Sequence, residues 1–241
     1  MTMSKVQNCT LTIAIDGPAG AGKSTIAKRL ASALHIVYLD TGAMYRTLAW
    51  YALWHQVDVG DEAALLDIVE HANFQFVATV AGTRIFHKNE DITDALYSAD
   101  VSRGASFVSQ HPSVRDWMVK WQRDFTSSRS AILDGRDIGT VVLPHASLKF
   151  FLTASVEARA MRRYLQQSDT GLSLEDITSE IIARDERDSG RSIAPLIAAE
   201  DAVVIDSTAM NIDEVVEYIL ALACEKGFKA EDEGVGNSVG I

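Results

Sequence analysis

The sequence predicts an α/β fold in which a parallel sheet is covered by helices on both faces. Three observations predict it. Short β-branched apolar runs alternate with stretches of helical periodicity along most of the chain. The chain opens with a strand, a glycine-rich turn and a helix in immediate succession. A β-like stretch from Asn73 to about residue 93 then interrupts the alternation and marks an insert.

The elements follow in order. Leu11–Ile15 is a short apolar run stopped by Asp16, Gly17 and Pro18, hence a buried strand. Ile26, Ala27, Leu30, Ala31 and Leu34 recur at helical spacing, so a helix follows from Lys23. Ile36–Leu39 is a second strand, and helices are expected from about Ala43 to His55 and from Asp61 to Ala72. Phe74, Phe76, Val80, Ile85 and Phe86 lie in short β-like runs broken at Ala81-Gly82 and at Lys88–Asp91, the pattern of a small antiparallel patch. Helices resume over about Asp94–Ser109 and again near Pro112, a proline suited to a first turn. Ala131–Asp134, Leu148–Leu152 and Ala202–Asp206 are further strands. Ser155–Gln167 and Ser173–Asp188 are helical, and Asn211 with Glu214 makes a capping box for a last helix to about Lys226. The glycine-rich, acidic stretch 227–241 is expected to be disordered.

Composition narrows the function. The 241 residues are 47% hydrophobic and 23% charged, an ordinary globular balance. The 33 acidic residues against 22 basic ones leave a formal charge of −11, the wrong sign for a general nucleic-acid or anionic-membrane binder. Cys9 and Cys224 are too few for a disulfide framework or a thiolate zinc site, and are expected to be free buried thiols. No run of about 18 apolar residues is present and the first ten residues are polar, so a cytoplasmic protein is expected. The six histidines are scattered, without metal or triad spacing.

Gly17-Pro18-Ala19-Gly20-Ala21-Gly22-Lys23-Ser24, followed by Thr25, fits G-x-x-x-x-G-K-[ST]. Small residues let backbone N–H groups converge on phosphate oxygens, and the helix from Lys23 presents its positive end to them. Lys23 reaches the β- and γ-phosphates, and the Ser24 hydroxyl suits Mg²⁺. The loop therefore calls for a nucleoside triphosphate. The N-K-x-D string of guanine-specific switches is absent. Asp134 is followed by Gly135 and Arg136 rather than by the second acid of a motor ATPase, which leaves Asp134 as a partner of the metal or of its bound water.

Arginine outnumbers lysine 14 to 8, and arginine is the better fork for phosphate. Arg46 follows the second strand and Arg136 follows the strand ending at Asp134, positions where open α/β sheets bind ligands. Arg184, Arg187, Asp188 and Arg191 fall on one helical face, where like charges repel unless an anion joins them. Arg159 and Arg163 on the preceding helix are placed to face the same space. This arginine-rich helix pair, with Gly171 and Gly190 as hinges, reads as a mobile lid over the triphosphate. Tyr45 and Trp50 read as packing residues of an apolar helix.

The strings Ile13–Thr25, Leu39–Arg46, Asp134–Val142 and Arg184–Leu196, in that order over about residues 11–225, resemble bacterial cytidylate kinases, a family of nucleoside monophosphate kinases. The first string is shared by many kinases, while the last three together are specific to the family. The resemblance implies a three-layer P-loop NTPase-type fold with a five-stranded parallel sheet. It implies one domain over 1–226: a core of about 11–40, 130–155 and 200–226, a monophosphate-binding part with the β insert over 41–129, and a lid over 156–195. The implied reaction is direct in-line transfer of the γ-phosphoryl group of ATP to CMP or dCMP with Mg²⁺; a monomer is expected, although the sequence itself does not set the oligomeric state. In that reading Arg46 and Arg136 hold the acceptor phosphate and Arg191 closes on it. Arg184 and Asp188 meet the ribose. Thr41, Ser106, Arg115 and Asp137 line the base pocket. Arg159 joins the loop in holding ATP, Ser24 and Asp134 face the metal, and Lys23, Arg136, Arg187 and Arg191 stabilise the transfer. The residues alone support an arginine-rich second anion site. They leave a kinase for another small acceptor, or a nucleotide-binding regulatory module, as rivals.

Overall fold

The computed structural model describes residues 10–166, 172–226 and 228. Its centre is five parallel strands: β1 (Thr12–Asp16), β2 (Val37–Asp40), β6 (Ala131–Gly135), β7 (Leu148–Thr153) and β8 (Val203–Asp206). Their order in the sheet is β2-β6-β1-β7-β8. The side-chain period of two sorts each strand between two cores. Ile13, Ile15, Tyr38, Ile132 and Phe150 pack under α1 (Lys23–Ala33) and α8 (Ile212–Glu225). Ala14, Leu39, Ala131 and Leu133 face the other way, toward α2 (Thr41–Trp54), α3 (Glu62–His71), α4 (Ala99–Val108) and α5 (Pro112–Thr126). Two buried faces make the three layers that the apolar runs predict.

The insert differs from expectation in one respect. Strands β3 (Phe74–Thr79), β4 (Gly82–His87) and β5 (Glu90–Asp91) are antiparallel to one another, but they are not a separate patch. β3 pairs antiparallel with β2 through Tyr38 and Thr79, so the insert extends the core into one eight-stranded sheet. Thr83 secures the join: its hydroxyl donates to Tyr38 O at 2.9 Å and accepts from Asp40 N at 2.8 Å. Lys88 and Asn89 both take positive φ, the conformation of a tight two-residue hairpin turn.

Two helix expectations are refined. α2 starts two residues early because the Asp40 carboxylate caps it, accepting from Ala43 N. The helix expected over Asp94–Ser109 is split into a 3₁₀ turn at Thr93–Tyr97 and α4, with Ser98 as the cap between them. Helices α6 (Val156–Gln166) and α7 (Leu174–Ser189) pair through a small apolar cluster of Ala160, Ile177 and Ile181. Cys224 is exposed rather than buried, on the outer face of α8. Cys9, Gly171 and nearly all of 227–241 lie outside the described residues.

Candidate active site

The turn after β1 is the loop the motif predicts. Gly17 has φ 145°, and a Cβ there would sit 1.9 Å from Leu152 O, so no other residue fits. Lys23 starts α1 and folds its ammonium back to donate to Pro18 O at 2.7 Å. Burial and the nearby Arg136 charge push the Lys23 pKa well below the usual lysine range.

Beside the loop, at the carboxyl ends of β1, β2 and β6, lies a cleft of about 220 Å³. Seven cationic side chains line it against four carboxylates, in a protein whose overall charge is strongly negative. Asp134 is the penultimate residue of β6 and is buried. One of its oxygens accepts from Ser24 Oγ at 2.9 Å and the other from Tyr38 Oη at 2.8 Å. Burial and the charge of Asp40 raise its pKa to about 6.

Asp188 organises the far wall. It is almost wholly buried near the end of α7. It accepts from Arg136 Nε at 2.7 Å and from Arg191, and Arg184 stands 3.9 Å away. Burial raises its pKa, but the three guanidinium charges outweigh burial and hold it below the usual carboxylate range. Arg184 is pushed down to about 9 by burial and by Arg136, and is still charged at neutral pH. Deeper in the cleft Arg115 and Asp137 form a buried ion pair, and Arg115 also donates to Ser109 O at 3.3 Å. Thr41 donates to Asp134 O at 2.7 Å.

Four buried polar groups of the cleft have no hydrogen-bond partner among the described residues: Arg46 Nε, Arg184 Nε, Arg191 Nε and Ser106 Oγ. Buried polar groups are normally satisfied, so this set fits a polar, anionic ligand.

Most residues singled out in the sequence meet here: Lys23, Ser24, Thr41, Arg46, Ser106, Arg115, Asp134, Arg136, Asp137, Arg184, Asp188 and Arg191. Arg187 does not. Consecutive helical residues are about 100° apart, so with Asp188 facing the cleft, Arg187 is turned away. Its guanidinium lies 6.0 Å over the Phe107 ring. Arg191 is in the cleft but beyond the helix, because α7 ends at Ser189. Arg159 is buried behind the loop, donating to Ala154 O and Ala19 O and paired with Asp185 on α7. It ties the loop to the α6–α7 pair.

Sequence reasoning missed three residues. Tyr45 packs against the core as expected but also lines the cleft, and burial pushes its hydroxyl up to about 12. Asp40 caps α2 and pairs with Arg46 at 2.7 Å. Asp16 accepts from Ile138 N at 2.8 Å and Gly139 N at 2.7 Å, with burial raising its pKa to about 6. Tyr45 adjoins Arg46 in sequence, which was a usable signal. Asp16 and Asp40 end strands beside turn residues, and nothing local marks them as more than strand stops.

A second cleft, of about 630 Å³, opens on the other side of the loop. Gly22, Thr25, Arg162, Gln166 and Met210 are among its walls.

A phosphate loop flanked by two clefts, one of them crowded with arginine, defines a P-loop phosphotransferase for a small anionic acceptor. The comparisons are more specific. The family model for cytidylate kinase matches residues 13–225. The cytidylate kinase of Halalkalibacterium halodurans is 48% identical over 218 residues, covering 90% of this chain and 98% of the relative. That of Shouchella clausii is 49% identical over 215 residues, covering 88% and 96%. The chain belongs to the cytidylate kinase family. A solved structure of an uncharacterized protein from Eubacterium ventriosum aligns with TM-score 0.51 at 14% identity, over 88% of this chain and 98% of the other, and shares the fold. Among the described residues no helix is long and apolar enough to cross a membrane.

Proposed function

We propose that the protein transfers the γ-phosphoryl group of ATP to CMP or dCMP, giving ADP and CDP or dCDP. The observation that carries this reading is the arginine cleft beside the loop, with four unpartnered polar groups, in a chain of the cytidylate kinase family. The loop residues Gly17–Thr25 hold the donor phosphates, and the second cleft takes the donor nucleoside, with Arg159 bracing the loop from behind.

Arg46, Arg136 and Arg191 bind the acceptor phosphate. Asp188 holds Arg136 and Arg191 in place beforehand, so little ordering remains for substrate to supply. Arg184 and Asp188 meet the ribose. Asp137 takes the N4 amino group of cytosine and Arg115 its N3 and O2 acceptors, with Thr41, Ser106 and Tyr45 around the base. Uracil sets a carbonyl against Asp137, a mismatch of about 2–4 kcal/mol. Lys23 and Arg136 stabilise the transferring group in line between donor and acceptor, and catalysis is chiefly positioning and electrostatics. Arg187 acts there only if α7 moves, since it faces Phe107.

Among the described residues no three His, Cys, Asp or Glu side chains gather as a metal site. Mg²⁺ bound mainly through phosphate needs only one or two protein oxygens, and Ser24 with Asp134 fit that need. When bound there, Mg²⁺ supplies charge neutralisation on the donor phosphates. Residues 156–195 serve as the lid, and the protein acts as a monomer.

The test is ADP release from ATP with Mg²⁺ and each of CMP, dCMP, UMP, AMP and GMP. Release with CMP and dCMP, and little with the others, is expected. Preference for another monophosphate overturns the roles of Arg115 and Asp137. No acceptor-dependent release overturns the kinase reading.

A further inference from the structure

Arg46 is held on two sides by residues outside the sequence motifs. Its Nη2 donates to Asp40 at 2.7 Å, and its guanidinium lies over the Tyr97 ring, 4.7 Å from the centroid. Tyr97 is more than half exposed and does not line the cleft, whereas Arg46 does. The ring therefore backs the guanidinium from the solvent side. The Tyr97 hydroxyl also donates to the same Asp40 oxygen, at 3.4 Å. Arg46 Nε is left buried and without a partner among the described residues.

Tyr97 is itself fixed. It ends the 3₁₀ turn, and its neighbour Leu96 is fully buried among Ala43, Ile85 and Ile92. Ile85 N donates to Thr93 Oγ1 at 2.9 Å, and Thr93 N donates to Asp91 at 2.9 Å. The β insert thus carries an aromatic plate to a set position against α2. An arginine stacked on a ring loses freedom about its long stem while its in-plane N–H donors stay free for a phosphate.

We propose that Tyr97 is a positioning residue for the acceptor phosphate, acting through Arg46, and that the β insert serves the reaction by presenting it. This rests on the reading of the main cleft as a monophosphate site. The side chain that matters is the ring, because Asp40 alone already satisfies the charge of Arg46. Removing the ring frees Arg46 and weakens acceptor binding without touching the donor loop.

The test is steady-state kinetics on wild type, Tyr97→Phe and Tyr97→Leu, with ¹⁵N NMR of the Arg46 Nε–H signal in ligand-free protein and under titration with inorganic phosphate. Tyr97→Phe is expected to stay near wild type. Tyr97→Leu is expected to raise the KM for CMP about fivefold and leave the KM for ATP unchanged. The Arg46 signal is expected to carry a ring-current shift in wild type and Tyr97→Phe and to lose it in Tyr97→Leu. An unchanged CMP KM in Tyr97→Leu, an equal loss in both variants, or a parallel rise in the ATP KM overturns the proposal. If wild type does not turn over CMP, the reading of the cleft fails, and the phosphate titration decides on Tyr97 alone. Weaker phosphate binding in Tyr97→Leu then supports the role, and equal binding overturns it.

Discussion

The donor loop is eight consecutive residues, Gly17 to Ser24, and its binding groups are mostly backbone N–H. The arginine cleft beside it takes side chains from the ends of β2 and β6, from α2, α4, α5, α6 and α7 and from the segment after α7, spread from Asp40 to Arg191. The loop is fixed by glycines: a Cβ at Gly17 would clash with Leu152 O, and Gly20 and Gly22 take positive φ. The cleft is fixed by ion pairs: Asp188 with three arginines, Asp137 with Arg115, Asp40 with Arg46. In the proposed reading, a phosphate common to every triphosphate is met by backbone geometry, and a particular acceptor by charge placed from many elements.

Removing the hub of the cleft is the largest expected break in that comparison. Asp188→Asn leaves Arg136, Arg184 and Arg191 crowded without a counter-charge, and kcat/KM for CMP is expected to fall about 100-fold. ATP affinity, measured by titration of the same variant, is expected to stay within about threefold. Equal losses for both nucleotides would mean that the two regions are not built independently.

A smaller effect sharpens the comparison where the two regions join. Asp16 ends β1 one residue before the loop and holds the backbone at Ile138 and Gly139, just past Arg136 and Asp137. Burial raises its folded pKa to about 6 from the usual 3.8, against the opposing pull of the Gly139 and Ile138 N–H donors. The folded state thus binds more protons than the unfolded chain between about pH 4 and pH 6, and stability from this group falls as pH rises through that window. The wild-type advantage over Asp16→Asn in urea unfolding is therefore expected to shrink by about 2 kcal/mol from pH 4 to pH 6. A difference that stays constant or grows with pH would contradict the buried placement of Asp16.

What the sequence makes legible follows the same division. The strands of the core and the loop rest on neighbours in sequence, so periodicity and one motif suffice to place them. The arginines stand out by number and by their seats at element ends. The joining of the insert to β2 depends on Thr79 meeting Tyr38 and Thr83 meeting Asp40, contacts across more than 40 residues that leave no local pattern. Helical spacing alone does not separate Arg187, which lies over Phe107, from Asp188, which faces the cleft. Tyr45 both packs on the core and lines the cleft, and only its place next to Arg46 hints at the second role.

The central claim is that the arginine cleft is a CMP site already formed without the donor. Calorimetric titration of CMP into nucleotide-free protein tests it most directly, on wild type, Arg136→Ala and Lys23→Ala. Saturable one-to-one binding that is lost in Arg136→Ala and kept in Lys23→Ala is the predicted result. CMP binding that survives in Arg136→Ala, or that disappears with Lys23, would contradict it.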